Sequence, residues 1–212
     1  MKSRPLRPAR LASALSAPLW LLVGCASVPQ AGTPENAFAK RPPPADRINW
    51  PERYQPKDAG FFVHNQIEIN ARPEAVWNVL LQAETWPSWY EGAEDVKVTN
   101  GKNGALDAHA SFTWNTMGLD FTSRVTEFQP PFRLSWESRK STIQGYHAWL
   151  IIPSGTGSRL VTEESQHGFM TVLQKVFVPN KLHRLHDVWL AQIKKRAEAV
   201  ATPSPQTNGA SR

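Results

Sequence analysis

Few side chains in this sequence are spaced to do chemistry, and the spacing excludes more than it assigns. His147 stands in the run Tyr146-His147-Ala148-Trp149. An imidazole between aromatic strand positions can orient a ligand or exchange a proton, although its plainer role is a partly exposed strand residue. Glu163 is the other candidate acid or base. Glu163 and His167 share strand parity, but four strand residues span about 13 Å, too far to share a metal ion. His183 and His186 lie three apart on an expected helix, yet no third ligand and no H-E-x-x-H motif accompany them. No metal site and no cofactor are therefore expected. There is no G-x-S-x-G elbow. The glycine-bearing run at 154–158 precedes a strand, which makes it a hairpin turn and not a phosphate cradle. The one cysteine, Cys25, excludes an internal disulfide and a Cys-rich zinc site.

The charge and the cysteine belong to one feature. The 212 residues hold 24 basic and 18 acidic side chains, a net of +6, which raises nucleic acid or an anionic membrane as a partner. Lys2, Arg4, Arg7 and Arg10 precede an apolar run at 11–23, and the first 24 positions carry no acid. That is the anatomy of a secretory signal. As a helix the run spans about 20 Å, short of a hydrocarbon core of about 30 Å. It ends in Leu22-Val23-Gly24-Cys25, which resembles a bacterial lipobox. The resemblance implies cleavage before Cys25 and acyl chains on it, and several chains anchor stably where one does not. Ala26 resembles the residue found in Gram-negative lipoproteins sent to the outer membrane. The expected location is the cell envelope, lipid-anchored and facing the periplasm. Without residues 1–24, 20 basic residues face 18 acidic ones, a net of +2. No nucleic-acid partner is then expected. Lys181, Arg184 and the run 194–196 read as a solvated basic helix face.

The elements that must position His147 follow from periodicity. Residues 25–58 form a proline-rich tether whose end, with Ile48, Trp50 and Tyr54, is apolar enough to dock. Residues 59–201 form one domain, and 202–212 a polar tail. A strand is predicted at 61–70, then a helix opened by Pro73 and Glu74. A short helix or turn follows at 85–90. Six further strands are predicted at 95–99, 110–116, 119–128, 132–139, 143–153 and 159–169, with breaks short enough for antiparallel hairpins. Helical spacing then runs from 173 to 200, kinked or broken at Pro179.

Several words in this order carry a resemblance. They are Ile69-Asn70-Ala71-Arg72-Pro73-Glu74-Ala75-Val76-Trp77, Trp86-Pro87-Ser88-Trp89-Tyr90, Ser123-Arg124-Val125-Thr126-Glu127-Phe128, Pro130-Pro131-Phe132-Arg133-Leu134-Ser135-Trp136 and Thr156-Gly157-Ser158-Arg159-Leu160-Val161-Thr162-Glu163-Glu164. The domain resembles the START/Bet v1-like superfamily, with its polyketide cyclase/dehydrase and lipid-transport members. The resemblance implies an α+β helix-grip fold: a curved antiparallel sheet of about seven strands around a long C-terminal helix, with a cavity between them. Strand parity then puts Phe112, Trp114, Phe121, Trp136, His147 and Trp149 around the cavity, with Phe169, Leu173 and Phe177 over its opening. The expected function is binding of a hydrophobic small molecule or lipid by a membrane-anchored protein. The alternatives are a cyclase- or dehydratase-like enzyme using His147 or Glu163, or an envelope interaction module with a vestigial cavity.

Overall fold

Alternating burial along Phe61–Ile69 turns Phe61, Val63, Asn65 and Ile69 to the interior and His64, Gln66 and Glu68 outward. This strand, β1, is the first of seven in a computed structural model that describes residues 46–201. The expected signal sequence, Cys25, most of the tether and the tail lie outside the described residues. The other strands are β2 (Glu94–Thr99), β3 (Ser111–Thr116), β4 (Leu119–Gln129), β5 (Arg133–Lys140), β6 (Ile143–Ser154) and β7 (Gly157–His167). They form one curved antiparallel sheet in the order β1-β7-β6-β5-β4-β3-β2, which does not close into a barrel. Strands β2 to β7 run as successive hairpins, and β1 returns to pair with β7.

Helix α1 (Pro73–Leu81) starts at Pro73, whose missing N–H costs nothing at a first helical position. It buries Val76, Trp77 and Leu80. The expected second helix is a 3₁₀ segment, Ala83–Ser88. The expected C-terminal helix arrives in two pieces, α2 (Met170–Phe177) and α3 (Lys181–Ala201), separated at Pro179. Helix α3 lies against the concave face and buries Leu182, His186, Trp189, Leu190, Ile193 and Ala197 along one stripe. Asn65 Nδ2 ties it to β1 through Asp187 Oδ1 and His183 Nδ1, both at 2.7 Å. The seven-stranded helix-grip architecture is thus the expected one. Among the described residues no helix is long and apolar enough to cross a membrane.

One boundary moves. The last strand stops at His167, because Gly168 takes φ 113° and a side chain there would meet Thr142 O at 2.6 Å. Phe169, expected to extend the strand, is turned out of the sheet.

Residues 46–58 pack on the opposite, outer face. Tyr54 is buried and stacks on Tyr146 at 5.7 Å, while Trp50 meets Tyr146 at 5.7 Å and Phe62 at 6.0 Å. Ile48 packs beside them. The Tyr54 hydroxyl donates to Glu137, and Arg139 donates to the same carboxylate at 2.9 Å. Burial works to raise the Glu137 carboxyl, but these two hydrogen bonds outweigh it and hold it below its usual range. A carboxyl held low contributes stability above its unfolded pKa and loses it as pH falls through the folded value. Tyr54→Phe should therefore cost about 1 kcal/mol at pH 7 and distinctly less at pH 3. Urea unfolding of wild type and variant at both pH values checks this.

Candidate functional site

The space between sheet and helix divides into a packed half and an open half. Trp189 of α3 occupies the centre of the packed half. Tyr90 stacks on it at 4.3 Å and 15°, and Trp86 and Trp149 meet it edge-on, both at 4.9 Å. Phe112, Trp136 and Trp149 point to this interior as strand parity requires, but they are at most 1% exposed and are not among the residues lining the cavity of the other half. Trp86 and Trp189 fill the volume that strand parity alone had left to a ligand.

The open half is a cavity of about 230 Å³. Of the residues expected from sequence, Trp114, Phe121, His147, Leu173 and Phe177 are among those lining it. Phe169 does not; it is 69% exposed, because Gly168 has already ended the strand. Met117, Leu119, Ile143, Met170, Val178 and Leu182 add to the apolar wall, and Tyr90 and Trp189 border it from the packed half. One end is polar, with Ser138, Glu164, Gln166, Gln174 and His186. Trp114 Nε1 donates to Ser123 Oγ at 2.9 Å, and Ser123 meets Ser138 at 2.7 Å, so that wall is satisfied internally. Gln166 Oε1, Gln174 Nε2 and His186 Nδ1 are buried with no hydrogen-bond partner among the described residues.

Three elements build the polar end. The β6–β7 register sets His147 opposite Glu164. His147 Nδ1 lies 3.4 Å from Glu164 Oε2, and His186 Nε2 lies 3.3 Å from the same oxygen. The two imidazoles stack at 4.7 Å. Thr162 Oγ1 meets His147 Nε2 at 2.7 Å, and Gln166 Nε2 donates to Glu164 Oε1 at 2.7 Å. Burial pushes the His147 imidazole down to about 3. Burial works to raise Glu164, but its contacts to His147, His186 and Gln166 outweigh that and hold it below its usual range. Burial first, and then the Glu164 charge, push the Tyr90 phenol above its usual range.

Glu163, the carboxylate favoured from sequence, lies on the other face of the sheet and meets His64 Nδ1 at 2.8 Å. The cavity carboxylate is its neighbour, Glu164. Sequence reasoning also missed His186 as a site residue. The signals were present: a tight turn pairing Ser154 with Gly157 pairs His147 with Glu164 seven residues down the hairpin, and His186 sits on the apolar stripe of its helix. His186 does have partners for a shared site, but they come from β6 and β7 and not from a local motif.

Residues 62–198 match the family described as polyketide cyclase/dehydrase and lipid transport. No curated protein matches the chain. Among solved structures, a hypothetical protein from Helicobacter pylori is 24% identical over 76% of this chain and 100% of its own, with a TM-score of 0.67. A Thermus thermophilus protein is 18% identical over 66% of this chain and 99% of its own, at 0.55. An aromatase/cyclase from Streptomyces is 12% identical over 66% and 95%, at 0.56. These identities speak for the fold alone.

The lowered imidazole has a measurable consequence. Below pH 6.5 the unfolded chain takes a proton at His147 that the folded chain refuses until about pH 3. Stability tied to this residue is therefore lost as pH falls from 6.5 toward 3. Between pH 7.5 and 5 the loss should be about 2 kcal/mol, and His147→Gln should remove it. Urea unfolding in a chelating buffer at the two pH values measures it.

Proposed function

The chain belongs to the polyketide cyclase/dehydrase and lipid transport family, and we propose that it binds an apolar small molecule or lipid bearing a polar end group. One observation carries the reading: a cavity with an apolar wall, into whose lining Gln166 Oε1 and Gln174 Nε2 are buried without hydrogen-bond partners among the described residues. An apolar body gains about 25 cal/mol per Å² removed from water, and a polar end relieves buried groups otherwise left unpaired. Support for a lipid-anchored, periplasm-facing location comes from the signal anatomy at 1–24 and the lipobox ending in Cys25. The protein then acts as carrier, sensor or scavenger without covalent chemistry.

A second reading, a cyclase- or dehydratase-like reaction in the same cavity, is favoured by the His147–Glu164–His186 group on its wall. The two readings part on the bound molecule. A binder returns the molecule unchanged whatever residue stands at 147. An enzyme returns product from wild type and accumulates substrate in His147→Asn.

Residues 46–201, produced without detergent, should carry a co-purifying apolar molecule or take up one equivalent of an apolar fluorescent probe. Leu173→Trp should weaken uptake on the order of tenfold by filling the cavity mouth, with the fold intact by circular dichroism. Absence of both ligand and uptake overturns the binding reading. For the anchor, an alkyne-tagged fatty acid fed to cells should label the full chain and leave Cys25→Ser unlabelled.

A further inference from the structure

The polar end of the cavity has the geometry of a metal centre that no local sequence motif announces. One potential ligand atom from each of His147, Glu164 and His186 lies within 4.8 Å of the other two. The two edges that meet at the carboxylate measure 3.4 and 3.3 Å. Those are long for hydrogen bonds to a carboxylate, which run about 2.7–2.9 Å. They match the separation of about 3.3–3.4 Å between ligand atoms held 2.0–2.1 Å from a tetrahedral centre.

We propose that His147, Glu164 and His186 bind one Zn²⁺ ion, with its fourth position open to the cavity. The charge balance favours this. Glu164 is a largely buried carboxylate whose contacts are two imidazoles and an amide, with no Lys or Arg among them. Burying an ionised carboxylate without a cation is costly, and a divalent ion supplies the cation. The hydrogen bonds around His147 and Glu164 fit ligation as well. With the His147 Nε2 proton given to Thr162 Oγ1 at 2.7 Å, the Nδ1 lone pair faces Glu164. Gln166 occupies the other carboxylate oxygen and leaves Oε2 to the ion. Partners of this kind orient ligands and fix the tautomer. The remaining edge, between the two stacked imidazoles, reaches no further than 4.8 Å, and ligation requires the rings to turn toward one another. Two imidazoles and one carboxylate form a donor set suited to zinc, and three protein ligands leave a place for a water or a ligand's polar end. This inference does not depend on what fills the apolar part of the cavity.

The full chain, stripped with a chelator and dialysed, tests it directly. Isothermal titration with Zn²⁺ should show one equivalent bound tightly, and Co²⁺ should give the intense visible absorption of a four-coordinate ion. Glu164→Gln and His186→Asn should abolish binding at micromolar zinc, and Thr162→Val should weaken it about tenfold to a hundredfold. Glu163→Gln, on the other face, should change nothing. Circular dichroism confirms that each variant is folded. Should a variant fail to fold, the wild-type cobalt spectrum decides, since only a four-coordinate spectrum supports the site. No stoichiometric binding, binding that survives Glu164→Gln and His186→Asn, or a six-coordinate cobalt spectrum overturns the proposal.

Discussion

The insertion of Trp189 between helix and sheet is the constraint from which the rest follows. Its indole meets Trp86, Trp114, Trp136 and Trp149 at 4.9–6.2 Å, and Tyr90 lies flat against it. A large aromatic side chain buried on all sides fixes the depth and rotation of the element that carries it. The rotation of α3 then places His186, three residues earlier on the same stripe, over the β6–β7 hairpin. The Asn65–Asp187 hydrogen bond holds the same rotation from the sheet edge. The site geometry is thus a consequence of core packing one helical turn away.

The same insertion explains why the interior is uneven. Trp86, Phe112, Trp136 and Trp149 are buried in the aromatic half, Tyr90, Trp114 and Trp189 border the cavity, and the half beyond His147 is apolar but open. A buried carboxylate and the polar atoms Gln166 Oε1, Gln174 Nε2 and His186 Nδ1, left without hydrogen-bond partners among the described residues, are costs that a purely structural core has no reason to carry. They collect at one end of the open half, where an incoming polar group or ion can satisfy them. Around the mouth, α2 leaves Val172, Val176 and Phe177 more than half exposed.

Much of the fold was legible in the sequence. Alternation marks β1, Pro73 opens α1, and Pro179 divides the last helical stretch because proline cannot continue the ladder. The lining was legible only in part. Parity correctly turns Phe112, Trp136 and Trp149 inward, yet parity says nothing about which helical side chains already occupy that space. Trp86 and Trp189 do. The Glu163 error is of another kind. In a strand, one residue is the difference between the two faces, and only the hairpin register tells which is which. With Ser154 opposite Gly157, Glu164 faces His147 and Glu163 faces away. Phe169 was lost to Gly168, whose positive φ ends the strand before it. Residues 1–24 and Cys25 fall outside the described residues.

The outer face bears on the inner one. Tyr54 touches three adjacent strands from behind: it donates to Glu137 on β5, stacks on Tyr146 of β6, and packs edge-on against His167 of β7 at 5.6 Å. Side chains alternate across a sheet, so Tyr146 on the outer face and His147 on the inner face share one stretch of backbone. Glu164 lies on β7 between the outward-facing Glu163 and Ser165. On the inner face His147 packs against Trp136, Trp149 and Trp189, and the same backbone is stiffened from the other side as well. The aromatic clasp formed by Trp50, Tyr54 and Tyr146 supplies that stiffness. Residues 46–58 are therefore part of the structure that holds the cavity's polar end in place, and not only a spacer that precedes the domain.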